Sequence, residues 1–116
     1  MNPIFINLDA TGTIKQSDII TIVSSTTQIV YYRLYEGKYE IDYSTLDELR
    51  LILDDQVNGN VYTISSNTLE TINDTKYVKI TIPASELSSE LNYTVRPVVR
   101  ISGVNKGGIK FKLMVR

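Results

Sequence analysis

Polar and apolar residues alternate along most of this chain, the period of strands that keep one face in a core. Ile4, Ile6 and Leu8 share a face in Ile4-Phe5-Ile6-Asn7-Leu8, which predicts a first strand. Ala10-Thr11-Gly12-Thr13 reads as a turn and residues 19–23 as a second strand. Residues 29–35 form a third, with Val30, Tyr32 and Leu34 facing one way and Ile29, Tyr31, Arg33 and Tyr35 the other. Glu36-Gly37 closes a hairpin, because Gly accepts the positive φ of a tight turn. Tyr39, Ile41 and Tyr43 then share the inward face of the return strand.

The stretch from Ser44 to Asp55 supports two patterns. Thr45 and Glu48 have capping-box spacing, and Leu46, Leu49 and Leu53 would continue a helical stripe. Leu49, Leu51 and Leu53 also alternate as a strand. A short turn followed by a strand is preferred, because Asn58-Gly59 then closes a hairpin onto Val61-Tyr62-Thr63-Ile64. Asn73-Asp74 separates residues 69–72 from 77–82 as another hairpin, and Pro83 stops the later strand. Residues 84–91 hold at most a short helical crossing. Tyr93, Val95, Pro97, Val99 and Ile101 share a face, with Arg96 and Arg100 opposite. Pro97 has no N–H for a ladder, so an edge or a bulge is expected there. Residues 102–108 read as a loop. Ile109, Phe111, Leu113 and Val115 then alternate with Lys110, Lys112 and Met114 in a last strand.

The expected fold is therefore all-β: a single immunoglobulin-like antiparallel β-sandwich of about eight strands, over residues 1–116, with at most one or two short helical turns. The 116 residues suffice for one core without a staple. They include no Cys, His or Trp. That excludes a disulfide framework, Ser-His-Asp and Cys-His catalysis, and His- or Cys-ligated zinc. No metal or cofactor site is expected. No apolar run approaches the roughly 20 residues of a membrane span, and no export signal is read.

Net charge is −1, but its distribution is uneven. All thirteen acids lie at or before Glu90, so the first 93 residues carry −7 and the last 23 carry +6. A basic end neutralised by the rest of its own domain is the plainest account. A two-ended surface for head-to-tail contacts, and so a homo-oligomer, is the functional alternative. The bases lack an interleaved aromatic ladder, which argues against nucleic acid.

Three patterns bear on chemistry. Asp54-Asp55-Gln56-Val57-Asn58-Gly59-Asn60 has neither the alternating acids nor the terminal Glu of a calcium loop and reads as a hairpin. No carboxylate pair is singled out by spacing for glycoside hydrolysis. Tyr31 and Tyr35, beside Ile29, form an outward tyrosine pair suited to a protein contact or, less well without Trp, to a stacked sugar.

Certain segments resemble known families. Phe5-Ile6-Asn7-Leu8-Asp9-Ala10-Thr11-Gly12-Thr13 resembles the first motif of the haloacid dehalogenase superfamily, and within it the phosphorylated-aspartate motif of P-type ATPases. The resemblance implies Asp9 as a phosphoryl nucleophile; a partner Lys and a Mg²⁺-binding acidic pair can only be forced onto Lys79 and Asp54-Asp55, which nothing in the order supports. Ala10 stands where that ATPase motif has Lys. Such enzymes need a parallel sheet with crossover helices, which this pattern does not offer. Leu87-Ser-Ser-Glu-Leu91-Asn-Tyr93-Thr-Val95 is similar to the tyrosine corner of fibronectin type III and immunoglobulin-like domains, implying that Leu87 packs under Tyr93. Ser88-Ser89 replaces the Pro-Gly usual there.

The whole chain resembles small virion components of tailed bacteriophages. Its opening Ile6 to Gln16 is similar to N-terminal segments of baseplate and tail proteins, and its composition to auxiliary capsid proteins. The resemblance implies a non-enzymatic structural protein, assembled in a host cytoplasm and bound in many copies to capsid or tail subunits. A decoration role is preferred over a baseplate one. Tyr31 and Tyr35, or Arg96, Arg100, Lys110 and Lys112, would form the contact. A carbohydrate-binding or adhesion module is the alternative, and a phosphoryl-transfer enzyme using Asp9 the remote one.

Overall fold

A computed structural model describes residues 3–9, 19–22, 27–55, 59, 61–83, 92–107 and 111–115. In chain order these form β1 (Ile4–Asp9), β2 (Ile19–Ile22), β3 (Thr27–Glu36), β4 (Tyr39–Glu40), a 3₁₀ turn (Tyr43–Thr45) and β5 (Leu46–Asp55). There follow β6 (Val61–Ser66), β7 (Leu69–Ile72), β8 (Thr75–Pro83), β9 (Asn92–Ile101), β10 (Val104–Gly107) and β11 (Phe111–Val115).

Two sheets result, one ordered β1-β3-β8-β7 with β4 beside β3, the other β2-β11-β9-β5-β6 with β10 beside β9. We call them the first and second sheets. Apart from β2 at the margin of the second sheet and the parallel pairing of β1 with β3, this order follows the A-B-E-D and G-F-C-C′ sheets of an immunoglobulin-like sandwich. The all-β expectation holds, with eleven strands among the described residues rather than about eight, and with pairing that is not antiparallel throughout. Two pairings, β1 with β3 and β2 with β11, are parallel. Strand direction leaves no trace in a period-two pattern.

The core lies between the sheets and follows the alternation closely. Leu8, Val30, Tyr32 and Leu34 meet Leu49, Leu51, Leu53, Val78, Ile80, Tyr93, Val95, Val99 and Leu113, all with at most 1% exposure. Each such aliphatic side chain contributes roughly 1.5–3 kcal/mol by leaving water. The Tyr32 hydroxyl is buried there with no hydrogen-bond partner.

Turn chemistry sets the hairpins. Asn73 (φ 49°) and Asp74 (φ 65°) both take left-handed backbone, the geometry of a two-residue turn whose twist matches β7 and β8. Gly59 (φ 72°) donates its N–H to the Asp55 carbonyl at 2.9 Å, closing β5 onto β6 as expected.

The 44–55 segment resolves as a turn and a strand, but the cap differs from expectation. Asp42, not Thr45, caps the turn, accepting the Ser44 N–H at 3.0 Å. Tyr39 also departs from its expected inward position. β4 lasts only two residues, so alternation breaks after Glu40 and Tyr39 stands 79% exposed. Ile41 is buried and Tyr43 half-buried in the turn.

The expected loop at 102–108 is partly a strand. Ser102 (φ 47°) and Gly103 (φ 80°) make a tight turn, and Val104–Gly107 pairs back on β9. Here Ser carries a backbone angle usually left to Gly, which hid the hairpin. Across Pro97 the partners of β9 change. Val95 pairs with Phe111 and Val98 with Gly107, so the register of β9 with these partners shifts by one residue across Pro97. This one-residue offset falls where Pro97 has no N–H to give. Residues 84–91, the expected helical crossing, lie outside the described residues.

Candidate interaction surfaces

The two sheets turn opposite outer faces to their surroundings, and every expected contact residue that the structure describes outside the core falls on one of them.

On the first sheet, register places Phe5 beside Tyr31, and Glu70 beside Tyr77. Phe5 stacks on Tyr31 with centroids 5.2 Å apart and rings inclined by 20°. Tyr77 meets both edge-on, at 5.3 Å from Phe5 and 5.9 Å from Tyr31. Tyr31 is thereby left only 8% exposed, while Phe5 is 50% exposed. The expected open Tyr31/Tyr35 pair is therefore corrected. Tyr31 points outward as alternation requires, but a neighbouring strand lays a ring over it. The Tyr31 hydroxyl donates to Glu70; that bond, burial and the carboxylate charge push its pKa up.

Tyr35 is half-buried, with the Arg33 guanidinium 5.6 Å from its ring centroid. Arg33 is itself engaged. Its Nε lies 3.0 Å from Glu40 Oε2 and an Nη 3.2 Å from Oε1, a two-point fork. The Tyr43 hydroxyl donates to Glu40 Oε2 at 2.8 Å and accepts the Leu34 N–H at 3.0 Å. Burial raises the pKa of Glu40, but the Arg33 and Tyr43 hydrogen bonds outweigh it and hold the carboxyl below its ordinary value. Arg33, Glu40 and Tyr43 thus satisfy one another, while Lys79, opposite Tyr31, has no ion-pair partner among the described residues.

The second sheet turns Arg50, Ile52, Asp54, Thr94, Arg96, Val98, Arg100 and Lys112 outward. Here the C-terminal bases divide. Arg100 Nε lies 3.7 Å from Asp47 Oδ2, and Arg50 pairs with Glu48. Lys106 crosses between the sheets to Glu36, Nζ to Oε2 at 2.6 Å. Asp47 reaches Arg100 because it is the extra residue of a bulge between Leu46 and Glu48. Freed from the ladder, it also accepts the Gly103 N–H at 2.7 Å. Arg96 and Lys112 are exposed and have no ion-pair partner among the described residues. They lie on a diagonal, since Lys112 is opposite Thr94 and Arg96 is the next outward residue. Ile52, Asp54, Val61, Thr94 and Arg96 line a shallow depression of about 190 Å³ beside them.

Of the C-terminal bases, Arg100 and Lys106 are thus paired with acids from earlier in the chain, while Arg96 and Lys112 are not paired among the described residues. Lys110 and Leu87 lie outside the described residues. Tyr93 sits at the start of β9, buried, with its ring edge-on to Tyr62 at 6.0 Å. Of the groups named for the remote phosphoryl site, Asp9 ends β1 in the first sheet, while Asp54 and Asp55 end β5 in the second. No group of three or more acidic, His or Cys side chains suited to a metal occurs among the described residues. No helix among the described residues is long and apolar enough to cross a membrane. What sequence reasoning missed is Phe5 and Tyr77. Both were legible as outward residues, but only register shows that they meet over Tyr31.

The fold is an immunoglobulin-like β-sandwich of two sheets. No protein-family model matches the chain, and no curated protein sequence does. Among solved structures it is similar to the N-terminal domain of phage TP901-1 ORF48, with a TM-score of 0.59 and 13% identity, covering 100% of this chain and 99% of that one. At that identity the likeness establishes a shared fold.

Proposed function

We propose that the chain is a non-enzymatic structural protein of a phage particle, bound in many copies to a capsid or tail lattice. The observation that carries this reading is the end-to-end similarity of its fold to a domain of a phage protein. The outer face of the second sheet is the attachment surface, with Arg96 and Lys112 directed at acidic groups of the neighbouring subunit. The first sheet's face fits that role less well, because its aromatic and ionic groups satisfy one another. A contact of two charges beside a shallow depression is weak singly, and repetition on a lattice supplies avidity.

Density-gradient fractionation of the native source, following this 13.1 kDa chain by mass spectrometry, tests the reading. Co-migration with a large particle at fixed stoichiometry to its main shell or tail protein is expected, and would identify the partner. Recovery only as a small free species would overturn the proposal.

A further inference from the structure

One flank of the sandwich is a single uninterrupted margin. β6 ends the second sheet and β7 ends the first, and they are consecutive in the chain. The link between them is pinned to β8, where Lys79 N–H donates to the Thr68 carbonyl at 2.8 Å and the Ser66 hydroxyl donates to the Lys79 carbonyl. The margin runs Val61-Tyr-Thr-Ile-Ser-Ser-Asn-Thr-Leu-Glu-Thr-Ile72.

Open sheet edges are ordinarily protected by Lys, Pro, bulges or covering segments. This margin has none of the first two. Glu70 is its only charge, and it contains no Lys, Arg, Pro or Gly. β6 pairs with β5 without a register shift. Among the described residues no strand pairs on its far side, and on its outer face Val61 is 59% exposed and Thr63 and Ser65 are exposed. On the inner side Tyr62 and Ile64 pack against the core yet remain only partly buried, so the core stays unfinished at this strand.

We infer that β6 pairs antiparallel with β6 of a second copy of this chain, about a two-fold axis through Thr63. The register argues for that occupant. Pairing about Thr63 sets Tyr62 opposite Ile64 of the second copy, and the reverse, on the core side. On the outer side Thr63 meets its own counterpart and Val61 meets Ser65. An aromatic ring beside a β-branched chain and a Thr–Thr pair are both favourable cross-strand neighbours. An uncharged strand opposes no like charges across a two-fold, whereas a charged edge would. The pair joins two second sheets into one and closes both core margins. This self-pairing does not depend on the phage reading.

Sedimentation velocity of the purified chain over a range of concentrations tests it. A concentration-dependent dimer is expected for the natural sequence. Thr63→Lys, which sets two ammonium groups against each other across the axis, should leave a folded monomer. Because the chain has no Cys, Thr63→Cys adds a single reporter. Mild oxidation should cross-link it into a covalent dimer far faster than Thr81→Cys, another exposed site, on β8 of the first sheet. A natural chain that stays monomeric throughout would overturn the inference. So would dimerisation of Thr63→Lys equal to the natural chain, or equal cross-linking at the two cysteine positions. The cross-linking comparison stands even if the lysine variant fails to fold.

Discussion

The two outer faces of this sandwich are built from the same alternation and have opposite characters. On the first sheet most outward groups, Lys79 excepted, are spent on one another: Phe5 covers Tyr31, Tyr77 closes the cluster, and Arg33 is forked onto Glu40. On the second sheet outward groups are only partly spent. Arg50 and Arg100 have carboxylates within reach, while Arg96 and Lys112 have none among the described residues. The lesson is that an outward residue is not by that fact an available one. A ring that a neighbouring strand covers stabilises the fold, and a charge left without a counter-ion is free to select a partner.

The comparison breaks most visibly at Tyr31. Tyr31→Ser removes the ring between Phe5 and Tyr77 and the hydroxyl bonded to Glu70. A fall of several degrees in Tm is expected, because loss of a packed aromatic side chain leaves its neighbours without partners. A thermal transition unchanged from that of the natural chain would show that this face is as dispensable to the fold as the other.

Neutralising the second face should do the reverse. Arg96→Gln with Lys112→Gln is expected to leave thermal unfolding unaltered, since neither side chain has an ion-pair partner among the described residues to lose. It should flatten the salt dependence of attachment to particles, measured by pelleting at rising ionic strength. If the double variant bound with the same salt slope as the natural chain, the basic face would not be the attachment surface.

The smallest effect sharpens the contrast across a single strand. Tyr32 follows Tyr31 on β3 but points into the core, where its hydroxyl has no partner and burial pushes its pKa strongly up. Tyr32→Phe should therefore be neutral or stabilising by up to about 1 kcal/mol, because it removes an unpaired polar atom from an apolar site. Urea unfolding measures it. A clear loss of stability would mean that the hydroxyl is bonded in solution.

Much of this architecture was legible beforehand. The inward set of β3, β5, β8 and β9 could be read from alternation alone, because a strand's side chains must point to opposite sides. The Asn73-Asp74 and Gly59 turns were legible for a similar reason, since few residues accept left-handed backbone. The candidate surfaces were legible only in part. Arg96, Arg100 and Lys112 were placed outward correctly, whereas the openness of Tyr31, the inward turn of Tyr39 and the loop at 102–108 were not.

What the chain's own pattern determined is local: which residues form strands, which side of each faces the core, and where most turns fall. Spacing along the chain carries that information within a few residues. Tertiary structure alone decided which strands lie side by side, and with that the fate of each outward group. Phe5 reaches Tyr31 through a parallel pairing that no periodicity encodes. Lys106 finds Glu36 across 70 residues, and Asp47 finds Gly103 across 56. Lys106–Glu36, with Arg100 beside Asp47, neutralises part of the basic end, while Arg96 and Lys112 keep their charge unpaired among the described residues.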